Sequence, residues 1–268
     1  MLKGFMVPRS PSGHASIDPP PPWHYSGDVL AVEFWADPAV TTSILPEGLS
    51  PDRSTNGHAF AMFVDWQFTA SDDEYLDPAR YQYREAFVLI DAALGSRPVT
   101  FCPFIYVDND AALARGWAQG FPKKLGSIFQ TRTYAAPSFA ASPVKPGARF
   151  GASLSAHGCR LADARVTLRQ PVADPFTVFN RPTALVRYFP RLAKGQQVAA
   201  GGLARVTVRR RRADRTGLPV EWCDARPIRS GSVIGFSAGS AHPRAVHRPS
   251  PTASMLGVPL DLGATGPP

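Results

Sequence analysis

The sequence predicts an α+β fold that is mainly antiparallel β, with its sheet closed or nearly closed into a barrel or cone and a few short helices outside. Three observations predict this. Apolar runs of strand length dominate the first 190 residues. Several of them are joined by turns of hairpin length, such as Gly95–Pro98 and Ala156-His157-Gly158. The segments with helix start signals are short, so they decorate a sheet and do not build layers of their own.

Residues 1–22 are polar and end in four prolines, which reads as an extended N-terminal arm. Tyr25 to Trp35 alternates as a strand does. Asp37-Pro38 is a helix start, with Asp as N-cap and Pro at the first helical position, and the helix over 39–45 stops at Pro46. His58–Phe68 is apolar around a central Asp65 and reads as a buried strand. Residues 69–80 are acidic and read as loop. Tyr81–Ala93 and Val99–Val107 are two further strands. Asp110–Trp117 is a short helix capped by Asp110. Ile128–Tyr134 is a strand and 135–148 a loop. Arg149–Ser155 and Cys159–Leu168 form a hairpin, and Ala184–Phe189 is a last strand.

A chain of 268 residues can bury a full core as one domain. No run of about twenty apolar residues is present, so no transmembrane helix is expected. The N-terminus lacks a continuous apolar stretch, so no secretory signal is expected. Cys102, Cys159 and Cys223 are odd in number and widely spaced, which predicts a cytoplasmic protein without a disulfide framework or structural zinc. The formal charge is +8, but from Val206 onward there are nine arginines, no lysines and four acids. The basic character therefore belongs largely to the tail, and the domain shows no nucleic-acid footprint. Residues 206–268 carry eight prolines and only one Trp and one Phe, and they open on Arg209-Arg210-Arg211-Arg212. This composition supplies no evident strands. It fits either a disordered extension or an out-of-frame reading of a GC-rich gene.

The stretch with chemical content is Gly120-Phe121-Pro122-Lys123-Lys124-Leu125-Gly126. Pro122 favours an extended backbone at Phe121. Apolar residues flank the two lysines: Ala111, Ala112, Leu113 and Trp117 before them, Ile128 and Phe129 after. A lysine with an ordinary pKa of about 10.4 is an ammonium at pH 7 and no nucleophile. Desolvation lowers that value by several units and frees the amine. In an extended segment Lys123 and Lys124 point to opposite faces, so burial is the larger cause and repulsion between the two lysines the smaller.

Phe121-Pro122-Lys123-Lys124-Leu125-Gly126 resembles the active-site segment of the acetoacetate decarboxylase family. Tyr83-Arg84-Glu85 resembles that family's glutamate segment and lies at a similar distance, Glu85 being 38 residues before Lys123. Arg181-Pro182 to Pro190 resembles a later strand, and Pro20–Trp35 the opening strand of one branch. The resemblance covers roughly residues 1–200 and places the family-like domain at 23–205. It implies the same barrel or cone and a Schiff-base lyase without a cofactor. Lys123 would form an imine with a small keto acid, with Lys124 and Glu85 in the catalytic group. Glu85 is the candidate for proton transfer. Gln119, Tyr83, Arg115 and Phe121 are the candidate substrate-binding residues. Asp65 is a structural or a site acid.

The sequence departs from the decarboxylases in places. Ala61, Met62 and Asp65 occupy the strand that carries their second glutamate, and Arg115-Gly116-Trp117 replaces their Gly-Arg-Glu. Decarboxylation of a β-keto acid such as acetoacetate through an imine on Lys123 is the expected reaction, and pyruvate-type aldol addition with dehydration, which the same imine serves, is the alternative. A non-catalytic small-molecule binding protein is the alternative from another class. No Gly-rich phosphate loop, zinc cluster or Gly-x-Ser-x-Gly elbow is present. The expected partners are a small keto acid and further copies of the chain, with no metal, membrane or nucleic acid.

Overall fold

A computed structural model describes residues 1–169 except 71, 135, 137 and 142, residues 181–190, and the backbone of 202–206, 208–210 and 220–222. Four long strands form its frame: β1 (Trp23–Trp35), β3 (His58–Thr69), β4 (Gln82–Leu94) and β5 (Arg97–Val107). Short strands complete it: β2 (Ser50–Pro51), β6 (Lys123–Leu125), β10 (Thr183–Arg187), β11 (Gly202–Val206), β12 (Val208–Arg210) and β13 (Val220–Trp222). They make one ten-stranded sheet in the order β11-β10-β5-β4-β3-β1-β13-β12, with β2 on β4 and β6 on β5. Most pairs are antiparallel, while β6 and β10 both run parallel to β5. A second, three-stranded antiparallel sheet joins β7 (Ser127–Gln130), β8 (Arg149–Ala156) and β9 (Cys159–Thr167).

Both faces of the large sheet are covered, which is why His58–Thr69 reads as a nearly unbroken apolar run. Phe60, Met62, Val64, Trp66 and Phe68 pack on one face with Tyr25, Tyr83 and Ile105. Leu30, Phe63 and Ala86 pack on the other against Ile128, Phe150, Leu154 and Val166 of the small sheet.

The closed or nearly closed barrel or cone expected from the sequence is not confirmed, since no sheet closes on itself among the described residues. β11 and β12 end the large sheet at opposite edges and do not pair with each other. Three strands that would have extended the wall, β7–β9, lie across one face as a separate sheet. The two edges still meet at one corner, because a single residue separates Val206 from Val208 and their Cα atoms lie within about 7.6 Å.

Local readings hold in most places. Asp37 caps α1 (Pro38–Ser43) by accepting the Ala39 N–H at 2.8 Å. His157 and Gly158 both take positive φ, 50° and 76°, as the tight β8–β9 turn requires. Three readings are corrected. The acidic stretch 69–80 contains a helical turn at Glu74–Leu76, and α2 (Pro78–Tyr81) follows it directly. The cap of α3 (Asp110–Gln119) is Asn109, whose Oδ1 accepts the Ala112 N–H at 2.9 Å, and not Asp110. β12 and β13 lie within the stretch read as tail and pair with each other and with Trp23–Tyr25 of β1. The remaining tail residues, 207, 211–219 and 223–268, lie outside the described set.

The N-terminal segment contains no helix, but it folds back on itself. Lys3 and Ser10 form a β-bridge, and the Trp23 indole donates to the Pro19 carbonyl at 3.0 Å. No helix among the described residues is long and apolar enough to cross a membrane.

A polar pin joins the strands at the end of the sheet bearing His58. His58 Nδ1 lies 2.7 Å from Asp91 Oδ2 and Nε2 lies 2.8 Å from Glu33 Oε1. Arg181 bonds Asp52 and lies 3.5 Å from Asp91. Burial pulls the His58 pKa down, but the hydrogen bonds to Asp91 and Glu33 outweigh it and hold it above the ordinary value. A raised histidine pKa stabilises the fold fully below the unfolded value of about 6.5 and ceases to do so as pH climbs through the folded value. His58→Gln is expected to cost about 2 kcal/mol at pH 6, and the difference from wild type should narrow toward pH 9. Urea unfolding at three pH values checks this; a difference that stays constant would mean that folding leaves the His58 pKa unshifted.

Candidate active site

The lysine segment is delivered by α3. Its buried residues, Ala111, Ala112, Arg115 and Gly116, recur at helical spacing and face the sheet. The helix ends at Gly120, whose φ of 101° permits a left-handed cap in which its N–H and that of Phe121 both reach the Gly116 carbonyl at 2.9 Å. Pro122 then extends the chain, and Lys123–Leu125 pairs with Ile105–Val107.

Extended backbone separates the two lysines. Lys123 is 7% exposed, whereas Lys124 is exposed on the opposite face. The stem of Lys123 lies along α3 at Gly116: a Cβ there would stand 2.3 Å from Lys123 Cδ and 2.5 Å from Cε. The Trp117 indole donates to the Lys123 carbonyl at 2.9 Å. Glycine at 116 and tryptophan at 117 thus fix the side chain and the backbone of one residue.

Lys123 Nζ bonds Glu85 Oε1 on β4, and both side chains are buried. Glu85 Oε2 accepts the Trp66 indole N–H at 3.3 Å. The alignment follows from register: Glu85 faces Val64 and Val107, Tyr83 faces Trp66, and Lys123 lies beside Ile105. The Tyr83 and Phe121 rings stand 5.7 and 5.9 Å from Nζ. Burial pushes the Lys123 pKa below the ordinary lysine value. Glu85 opposes the shift and the charge of Arg115 adds to it.

Arg115 is the second cation of the site. It is 2% exposed, and its guanidinium lies 4.1 Å from the Phe68 ring centroid with Trp23, Tyr25 and Tyr83 around it. It bonds Asp18, which comes from the N-terminal segment and is 1% exposed. Desolvation raises the pKa of both tyrosine phenols, so they remain neutral.

The structure therefore brings together Lys123, Glu85, Tyr83, Arg115 and Phe121. Gln119 is half-buried at the end of α3, and none of the cluster's hydrogen bonds among the described residues involves it. Asp65 is a structural acid: it pairs with Arg132 at 2.7 Å and Arg84 at 3.7 Å. The sequence reading missed Asp18 and Trp66. Trp66 was legible as the tryptophan of a buried strand, but nothing local marks Asp18, which lies 97 residues from its partner. Among the described residues no group of three or more His, Cys, Asp or Glu could hold a metal ion.

The amine, the carboxylate and the sheltered guanidinium make one buried cluster, and comparison with known proteins gives the chain a family. Curated protein sequences give no match. Among solved structures, the enduracididine biosynthesis enzyme MppR, bound to the condensation product of pyruvate and imidazole 4-carboxaldehyde, is 34% identical over 78% of each chain, with a TM-score of 0.71. MppR bound to pyruvate is 31% identical over 87% of this chain and 92% of that one, also at 0.71. An acetoacetate decarboxylase-like enzyme from Sphingomonas wittichii RW1 is 28% identical over 77% of this chain and 81% of its own, at 0.69. The family described as acetoacetate decarboxylase matches residues 6–226, beyond the boundary at 205 set from the sequence. The chain belongs to the acetoacetate decarboxylase family.

Proposed function

We propose that the protein is a Schiff-base lyase in which Lys123 condenses with a small keto acid, and that pyruvate-type aldol addition with dehydration is its reaction. The buried contact between Lys123 and Glu85 carries the imine reading. The likeness to MppR, whose bound ligands are pyruvate and a condensation product of pyruvate, favours the pyruvate version.

The amine attacks the C2 carbonyl of pyruvate, and loss of water gives a protonated imine. Glu85, placed at the nitrogen, takes a proton from C3 and leaves an enamine. The enamine carbon attacks an aldehyde carbonyl, and the new alkoxide receives a proton. Loss of that hydroxyl as water gives an unsaturated imine, which a further water cleaves to free Lys123. The net change is pyruvate plus aldehyde to an unsaturated 2-keto acid plus water. Arg115 supplies the positive charge that faces the substrate carboxylate. Tyr83 and Phe121 wall the pocket and keep bulk water from the amine.

Decarboxylation of a β-keto acid is the second reading, and the retained glutamate of the family segment supports it. The test is borohydride trapping with pyruvate, 2-oxobutyrate and acetoacetate in turn, read by intact mass and peptide mapping. A reduced pyruvate adduct on Lys123 that keeps all its carbons supports the aldol version. An adduct from acetoacetate that has lost CO2 supports the decarboxylase version. Lys123→Arg should abolish the adduct, and Lys124→Ala should leave it. A folded protein that gives no adduct with any acid would point to a binding protein instead.

Gly116→Ala is a second, independent probe. The added methyl meets the buried Lys123 stem. Trapping is expected to fall at least tenfold, with about 1–3 kcal/mol of stability lost to overpacking. Undiminished trapping would show that the stem has another path to the pocket.

A further inference from the structure

Asp18 is the one acid near Lys123 that the imine mechanism leaves unused. The segment that carries it is anchored on both sides. The Ser16 hydroxyl donates to the Asp18 carbonyl at 2.8 Å, and the Trp23 indole holds Pro19. Its side chain is fully buried. Oδ1 bonds Arg115, while Oδ2 is buried without a hydrogen-bond partner. An orphaned carboxylate oxygen is costly, and a neutral residue would avoid the cost. What the acid supplies here is negative charge beside Arg115.

Lys123 is surrounded by charges and titratable groups from every neighbouring element. Glu85 and Tyr83 come from β4, Cys102 from β5 and Arg115 from α3, while Tyr25 of β1 stands against Arg115. Asp18 and Lys123 also act on each other directly through their charges. Among the carboxylates and cations named here, two negative charges balance two positive ones.

We infer that Asp18 is a positioning residue of the imine site, holding the Arg115 guanidinium and cancelling its field at Lys123, so that the N-terminal segment sets the working charge of the pocket. Without Asp18, Arg115 is an uncompensated cation beside the amine, and Lys123 gives up its proton at lower pH. The inference builds on the imine reading for its consequence in catalysis, but it concerns the ionisation of Lys123 itself.

The experiment measures that ionisation without a keto acid. Wild type, Asp18→Asn and Asp18→Ser are labelled with trace acetic anhydride across pH 5 to 11, and Lys123 acetylation is read by peptide mass spectrometry. Near-UV circular dichroism identifies the variants that fold, and either one suffices. The midpoint for Lys123 is expected to fall by about 1 pH unit in the neutral variants. A role in packing alone predicts the opposite sign, because water admitted to the pocket moves the midpoint up toward the ordinary lysine value. An unchanged or raised midpoint in a folded variant therefore overturns the inference, as does failure of both variants to fold while Asp18→Leu folds and keeps the wild-type midpoint. Borohydride trapping of wild type with pyruvate is run alongside. A missing adduct there removes the pyruvate version of the imine reading, while the acetylation result still decides the role of Asp18.

Discussion

The contact between Lys123 and Glu85 is the constraint on which the rest of this structure depends. Two charges taken out of water are expensive, and their attraction compensates only when geometry and further hydrogen bonds are good. The sheet supplies that geometry through register. β4 puts Glu85 between Val64 and Val107, and β6 puts Lys123 beside Ile105 on the same face. Trp66 satisfies the second carboxylate oxygen. Gly116 leaves room for the lysine stem, and Trp117 holds its backbone. Each of these residues helps to keep one amine buried and paired.

A second polar group sits in the same sheet and obeys a different logic. Glu33, His58 and Asp91 come from three adjacent strands and satisfy one another, with Arg181 closing the outer side. Both histidine nitrogens are occupied by carboxylates, so no lone pair faces an open space. Around Lys123 the hydrogen bonding is left incomplete, with an unpartnered oxygen on Asp18, and burial holds the lysine below its ordinary pKa. The first cluster spends its charges on cohesion. The second keeps electrostatic tension around Lys123.

The parts of this molecule written in local sequence were legible. Alternation and turn residues gave the long strands, and an extended Phe-Pro-Lys-Lys segment put one lysine in and one out. The reading that desolvation and not Lys124 lowers Lys123 rested only on the two-residue period of a strand. What local pattern does not encode is pairing at long range. Asp18 reaches Arg115 across 97 residues, and the second cation of the pocket is Arg115 on a helix eight residues upstream of the lysine. The expected closed or nearly closed barrel goes unconfirmed for the same reason. Strand count and hairpin turns look alike whether β7–β9 extend the wall or fold over its face, and only the apolar contacts of Ile128, Phe150 and Val166 decide. The tail composition likewise hid two short strands, because backbone pairing with Trp23–Tyr25 requires no apolar pattern of its own.

The chemistry of the imine separates the two reactions more sharply than the fold does. In a β-keto acid the carboxylate is one carbon beyond the imine carbon, so the electrons released with CO2 flow into the C=N bond, and no base is needed. In pyruvate the carboxylate is attached to the imine carbon itself. Loss of CO2 would strand an electron pair there, and the imine offers it no sink. A lysine imine of pyruvate can therefore only lose a proton from C3, and for that it needs a base close to the nitrogen. Glu85 stands at that position with one oxygen on Nζ and the other held by Trp66. A pocket built for decarboxylation alone has no use for a carboxylate that removes protons there, only for an acid that returns one. A glutamate oriented at the Lys123 amine can serve either route, as the base that takes the C3 proton of a pyruvate imine or, protonated, as the acid that returns one after CO2 is lost.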